Sequence, residues 1–116
     1  MNKKKQGKKF SRTSSQRKAL INNLANEFFL RGRIKTTQEK AKELRRFAEK
    51  FLTKAKKGNL AARRYLLRFL SEKVTRKLID EIAPKMKLRK GGYTRIIKLP
   101  QRKSDGAKIA IIELVN

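Results

Sequence analysis

The sequence predicts an α+β fold of about four helices and a small sheet, because helical and strand patterns occupy separate parts of the chain. Apolar residues recur at helical spacing from residue 14 to the proline at position 84. Apolar and β-branched residues, which suit strands, are concentrated near the C-terminus. The sheet is expected to comprise a C-terminal hairpin and a short edge strand, and a disordered basic arm is predicted at the N-terminus.

The predicted arm comprises residues 1–13, and residues 14–116 are predicted to form a single domain, since 116 residues is an ordinary domain length. Phe10 is the arm's one large apolar residue, so the arm cannot bury enough surface to become ordered. Basic arms of this kind commonly bind nucleic acid, although a merely solubilising tail is the alternative. The arm's cations are Lys3, Lys4, Lys5, Lys8, Lys9 and Arg12.

The first helix is predicted over residues 14–31, with the hydroxyls of Ser14 and Ser15 available to cap its start. Arg17 and Lys18 in its first turn oppose the helix dipole, which favours acidic residues there. A phosphate group near this end would reverse that penalty, because helix N-termini donate hydrogen bonds to anions. The predicted apolar stripe consists of Leu20, Ile21, Leu24, Ala25, Phe28 and Phe29.

Gly32 is expected to end this helix, and Arg33-Ile34-Lys35 is long enough for a short edge strand. Thr36 and Glu39 fit a capping box, in which each side chain accepts a hydrogen bond from the other residue's backbone N–H. A second helix is therefore predicted to begin at this point.

The second helix is predicted to end at Gly58, after a last turn rich in lysine. Arg45 and Arg46 lie off its apolar face, where a solvated surface and an RNA contact are equally plausible. The predicted core face consists of Ala41, Leu44, Ala48, Phe51 and Ala55.

Asn59 and Ser71 are predicted to cap a third and a fourth helix. Arg63 and Arg64 are expected on the outer face of the third helix, which is predicted to run to Leu70. Pro84 is expected to stop the fourth helix, because the residue before a proline resists helical geometry. The inward residues of the third helix are predicted to be Leu66, Leu67 and Leu70.

Residues 84–104 contain no acidic residue, and Gly91-Gly92 lies at their centre. Two adjacent glycines let the backbone take positive φ or approach a phosphate closely, although a plain turn is the alternative. Tyr93 and Arg95 would share one strand face and offer a ring and a guanidinium together, with Thr94 pointing toward the helices. Further predicted RNA contacts in this region are Arg89, Lys90 and Arg102.

Residues 107–115 are almost continuously apolar, which is typical of a strand with both faces covered. Asp105-Gly106 marks the turn that connects this strand to the one after Tyr93. The fourth helix carries Glu72, Asp80 and Glu81, a third of all acidic residues, so its outer face is expected to point away from any anionic partner.

The chain has 34 Lys and Arg against nine Asp and Glu, for a net charge of +25. Soluble domains of this size usually carry a net charge of about 2–8. Charge repulsion at this density opposes compaction, and a polyanion relieves it. Nucleic acid is therefore the predicted partner, and phosphate contacts are its predicted mode of binding.

Catalysis and metal binding are not predicted. The sequence contains no histidine and no cysteine, which removes the usual general base and the commonest metal ligands. It contains no phosphate-binding glycine loop of the Walker type and no nucleophile–base pattern, so neither a cofactor nor a small-molecule substrate is expected. No apolar run approaches the length of a membrane span, and a cytoplasmic protein is expected.

Four stretches also resemble one known family, that of the seventeenth protein of the bacterial large ribosomal subunit, over nearly the whole chain. They occur in the family's order and spacing, and each alone is weak. In this sequence Gln16 stands where the family usually has histidine. The stretches are residues 12–17, residues 35–45 around Lys35-Thr36-Thr37 and Lys40-Ala41-Lys42-Glu43-Leu44-Arg45, residues 89–95 around Gly91-Gly92-Tyr93-Thr94-Arg95, and Ile111-Ile112-Glu113-Leu114-Val115.

The resemblance implies a structural protein that binds large-subunit ribosomal RNA, at the outer surface toward the peptide-exit side. It implies neighbouring large-subunit ribosomal proteins as further partners. A DNA-bending nucleoid protein is the alternative function, but the sequence offers no proline-tipped ribbon that would wedge base steps apart.

Overall fold

The computed structural model describes residues 14–101 and 103–115, and its architecture confirms the predicted α+β class. A π-helical turn, Leu78–Ile82, joins the last two helices into one continuous helical segment, so there are four helical segments. The predicted N-terminal arm and Arg102 lie outside the described residues. The helices are α1 (Ser14–Arg31), α2 (Gln38–Lys57), α3 (Leu60–Leu67), α4 (Glu72–Lys77) and α5 (Ala83–Lys85), and the strands are β1 (Arg33–Thr37), β2 (Thr94–Lys98) and β3 (Ile109–Leu114).

The three strands form one antiparallel sheet in the order β1-β3-β2. Strands β2 and β3 form the predicted hairpin, and β1 pairs with the other side of β3 as the predicted edge strand. Strand β1 is two residues longer than predicted, because its pairing with β3 continues to Thr37 opposite Ile109. The most apolar strand of the chain is therefore the central one.

Helix α2 packs against all three strands and against α1 and α3, which makes it the central helix of the fold. The predicted core face of α2 is confirmed, since all five of its residues are buried. The predicted capping box is wrong by one residue: Thr37 caps the helix and its Oγ1 accepts the N–H of Lys40 (3.3 Å). Thr36 is instead committed to β1, whose ladder extends past it.

Helix α1 spans the predicted residues and ends at Gly32, whose N–H donates to the carbonyl of Phe28 (2.7 Å). The predicted N-cap at Ser14 or Ser15 is misplaced, because both residues are already helical. The position that would cap α1, Thr13, lies outside the described residues. The buried part of the predicted stripe consists of Ile21, Ala25, Phe28 and Phe29.

The predicted caps of the third and fourth helices are confirmed. The side chain of Asn59 accepts the N–H of Ala62 (2.8 Å), and the Oγ of Ser71 accepts the N–H of Val74 (3.2 Å). Helix α3 ends at Leu67, earlier than predicted, and Leu67 is exposed rather than inward.

The prediction that Pro84 stops the fourth helix is wrong, because the chain stays helical through Lys85. The N–H of Ala83 donates to the carbonyl of Leu78, five residues earlier, in the π-helical turn before the proline. The wider turn relieves the clash that a proline ring makes with the preceding turn of an α-helix.

The core lies between the helices and one face of the sheet. Ile112 is fully buried in it, and its cross-strand partners Ile34 and Ile96 pack against it. The other face of β3 is less completely buried, so the prediction that β3 is covered on both faces is only half right. On that outer face Ile109 is buried, whereas Ile111 and Glu113 are half-buried.

Candidate nucleic-acid interface

All nine acidic residues lie in the described part of the chain, and four of them form ion pairs with arginines of that part. Glu27 pairs with Arg31 and Glu72 with Arg76, each within one helix and exposed to solvent. The other two acids, Glu43 and Glu113, are largely buried and each contact two arginines. These two carboxylates orient arginines while leaving a net positive charge at each site.

Glu43 lies on α2 and is 4% exposed. Its carboxylate contacts Arg46 one turn later (3.2 Å) and Arg17 of α1 (3.7 Å). Two of the predicted RNA-binding arginines, from different helices, are thus brought together by one buried acid. Leaving the buried carboxylate of Glu43 without a cation would destabilise the fold. The ion pairs therefore keep the guanidiniums of Arg17 and Arg46 next to Glu43.

An open groove of about 480 Å³ lies beside this ion-pair site, at the start of α1. Its rim includes Ser15, Arg17 and Lys18, three of the predicted contact residues. Its floor includes the aromatic rings of Phe47 and Phe69, both half-buried. The first turns of α1 therefore present cations and a hydroxyl beside an apolar surface.

Glu113 lies at the centre of a row that crosses the outer face of the sheet. Arg33 of β1 and Arg95 of β2 are its two cross-strand neighbours. Both guanidiniums contact its carboxylate, at 3.8 Å from Arg33 and 2.5 Å from Arg95. Arg95 is exposed, as its predicted role requires.

The remaining arginines predicted from the middle helices are also on the surface. Arg45 on α2 and Arg64 on α3 are exposed, and Arg63 is half-exposed. No contact in the described residues brings these three together. The sequence prediction that they face outward is confirmed, and their role stays a prediction.

Residues 87–92 form a basic loop that α2 holds at its base. The carboxylate of Glu49 accepts the N–H of Tyr93 (3.3 Å) and both the N–H (3.0 Å) and the hydroxyl (2.9 Å) of Thr94. Lys56, seven residues further along α2, donates to the carbonyl of Arg89 and to the hydroxyl of Tyr93 (3.1 Å). Two side chains of one helix therefore hold the chain at Arg89 within the loop and at Tyr93 and Thr94 directly after it.

The prediction that Tyr93 and Arg95 share an outward face is wrong. Tyr93 is 2% exposed and belongs to the core, with the Nζ of Lys56 5.0 Å from its ring centre. Tyr93 precedes β2, so the alternation of side chains along a strand does not extend to it. The ring is consequently not available for stacking on RNA, whereas Thr94 is inward as predicted.

Gly92 and Gly91 differ in backbone conformation. Gly92 has φ of 62°, a left-handed conformation that other residues adopt only with strain, so this position is a true turn glycine. Gly91 lacks this φ, and a Cβ added to it would meet nothing within 4 Å. The amides next in the chain, of Tyr93 and Thr94, already bind Glu49, so a close backbone approach by an anion is restricted to the two glycines.

The segment from Glu72 to Ile82 differs from the basic surfaces described above in its net charge. It contains three acidic and three basic residues and is therefore neutral, whereas residues 84–104 contain eight basic residues and no acid. Glu72, Asp80 and Glu81 are exposed in the structure, and the orientation of this face away from an anionic partner stays a prediction.

Three residues that hold or form part of the 87–92 loop were not identified from the sequence. Glu49 and Lys56 hold the loop from α2, and their spacing of seven residues, which places both on one helix face, is the only local signal of a shared task. Leu88 is 95% exposed, and the signal that marks it is a lone leucine among cations.

Other kinds of site receive no support in the described part of the chain. No group of three or more acidic, histidine or cysteine side chains there could hold a metal ion. None of its helices combines the length and apolarity needed to cross a membrane.

Comparison with known proteins gives one consistent answer. The family model described as ribosomal protein L17 matches residues 20–115. A large ribosomal subunit protein bL17 from Thermoanaerobacter sp. (strain X514) is 53% identical over 109 residues, which cover 93% of this chain and 97% of the relative. The proteins of the same name from Clostridium acetobutylicum and Halothermothrix orenii are each 50% identical, over 93% of this chain and 96% of the relative.

Proposed function

This chain belongs to the ribosomal protein L17 family, and from that premise we propose that it binds and stabilises folded large-subunit ribosomal RNA through contacts with the phosphate backbone. The family resemblance read from the sequence is confirmed. The chain is a structural component of the large ribosomal subunit and not an enzyme. The RNA contacts and the neighbouring ribosomal proteins are the proposed part.

The main observation behind the proposal is that three of the few acidic residues, Glu43, Glu49 and Glu113, bind arginines or backbone groups within the protein. Glu43 and Glu113 each hold two arginines, and Glu49 binds backbone groups beneath the 87–92 loop. These three carboxylates are engaged inside the protein, so they do little to offset the exposed cations of the loop, Lys87, Arg89 and Lys90. A surface with this much uncompensated charge binds a polyanion by releasing its counterions.

Contacts with phosphates, rather than stacking on bases, account best for the surface. None of the aromatic rings in the described part of the chain is exposed, so stacking platforms of the kind found in single-strand binders are missing there. Exposed arginines and lysines instead occupy α1, α2, α3 and the 87–92 loop. Such contacts recognise the shape of a folded RNA and position the protein on it.

Competition with DNA tests this proposal against the alternative of a DNA-bending nucleoid protein. The full chain is bound to in vitro transcribed large-subunit ribosomal RNA and titrated with duplex DNA of equal phosphate concentration. We expect most of the protein to remain on the RNA, because a folded RNA presents phosphates that match the arginines held by Glu43 and Glu113. Displacement by DNA in simple proportion to phosphate concentration would contradict the proposal.

A further inference from the structure

Leu88 is the most exposed large apolar residue in the described part of the chain. Its exposed fraction is 95%, compared with 61% for Leu60 and 36% for Leu30. Single exposed leucines are common on protein surfaces and need no explanation by themselves. This one is unusual because of its neighbours: Lys87, Arg89 and Lys90 are all exposed, and no acidic residue lies between residues 84 and 104.

The backbone on both sides of Leu88 is anchored. Met86 (1% exposed) and Tyr93 (2% exposed) are buried in the core and fix the two ends of the loop. The N–H of Arg89 donates to the carbonyl of Met86 (3.0 Å), which closes a tight turn around Leu88. Lys56 then holds the carbonyl of Arg89 from α2. Leu88 therefore projects from a short, tied loop, which reduces the entropy lost when it binds a partner.

We propose that Leu88 is an apolar contact point for RNA, packing against the face of an unstacked nucleobase or a ribose while Lys87, Arg89 and Lys90 contact the flanking phosphates. This inference rests on the proposed function and names a specific contact within it. Apolar side chains flanked by cations are used in this way by proteins that insert wedges between bases. The contact would add affinity without reading sequence, since every base has an apolar face.

The charge of the loop favours RNA over a protein as the occupant. A protein pocket for Leu88 would have to place acidic groups opposite three cations within four residues. A nucleic-acid strand supplies an apolar base face and anionic phosphates within the same few ångströms. The alternative to an RNA contact is that Leu88 docks on a neighbouring ribosomal protein, and the experiment below distinguishes the two.

The test compares the wild type with Leu88→Ala and Leu88→Gln in binding to large-subunit ribosomal RNA at fixed salt. We expect each variant to bind about tenfold more weakly, because the apolar contact is lost. The thermal midpoint should not change, since the side chain contacts little of the protein, and the dependence of binding on salt should not change, since no charge is removed. The matched control is Leu30→Ala: Leu30 is an exposed leucine of α1 whose carbonyl accepts Nζ of Lys77 (2.8 Å), a residue of the neutral segment from Glu72 to Ile82, and its replacement should leave RNA affinity within about twofold.

The outcomes distinguish a failure of the inference about Leu88 from a failure of the proposed function. If the wild type binds the RNA and the Leu88 variants bind equally well, the inference about Leu88 is wrong and the proposed function stands. If they bind the RNA equally well but fail to join the large subunit, Leu88 docks on a protein and the inference is also wrong. A wild type that does not bind the RNA overturns both.

Discussion

Raising the salt concentration from 50 to 200 mM is expected to weaken binding to large-subunit ribosomal RNA by about 10³–10⁵-fold. This range corresponds to the neutralisation of about 6–10 phosphates, each of which releases bound counterions. The structure offers enough cations for this number: Arg17, Arg46, Arg95 and the basic residues of the 87–92 loop are at least partly exposed, and the acids near them are few.

The measurement is a plot of the logarithm of the association constant against the logarithm of monovalent salt concentration. The magnesium concentration is held constant so that the RNA stays folded throughout. A steep, linear decrease is the expected result. A nearly flat plot would show that apolar or base-specific contacts dominate and would contradict binding through phosphates.

Replacing Glu49 with alanine is expected to lower the free energy of unfolding by about 2–4 kcal/mol, because three donors lose a charged acceptor. The three donors are the N–H of Tyr93 and the N–H and hydroxyl of Thr94. Thr94 is 2% exposed, so water cannot readily replace the carboxylate there. The 87–92 loop would lose one of its two attachments to α2, and weaker RNA binding should accompany the loss of stability.

Urea unfolding monitored by circular dichroism measures the change, with Glu72→Ala as the control. Both variants remove one negative charge from a protein of net charge +25, so the general electrostatic effect is the same. Glu72 is exposed and forms an ion pair with Arg76 on the same helix (3.3 Å), so its loss should cost no more than about 0.5 kcal/mol. Equal destabilisation by the two variants would mean that the hydrogen bonds of Glu49 contribute little.

The parts of the fold that depend on residues close together in the sequence were predictable from it. The core face of α2 follows from apolar spacing, and the caps at Asn59 and Ser71 follow from residues whose side chains accept a nearby N–H. The start of α2 was misplaced because Thr36 and Thr37 are equivalent as caps, and pairing with β3 decides between them. Pro84 was misread because the π-helical turn before it leaves no distinct local pattern.

The candidate interface was predictable in composition but not in arrangement. The sequence identifies which residues are cationic, and most of those described are on the surface. It does not reveal that Glu43 joins Arg17 to Arg46, or that Glu113 lies between two arginines, because these contacts connect distant parts of the chain. Tyr93 was misassigned for the same reason: its burial depends on α2, more than thirty residues earlier.

Chemical footprinting of lysines tests whether the 87–92 loop is part of the RNA interface. Acetylation rates are compared by mass spectrometry in the free protein and in its complex with large-subunit ribosomal RNA alone. Lys87 and Lys90 of the loop and Lys73 of the neutral segment are all exposed in the free protein. We expect RNA to protect Lys87 and Lys90 and to leave Lys73 reactive. Protection of Lys73 with undiminished reactivity at Lys87 and Lys90 would contradict the proposed interface.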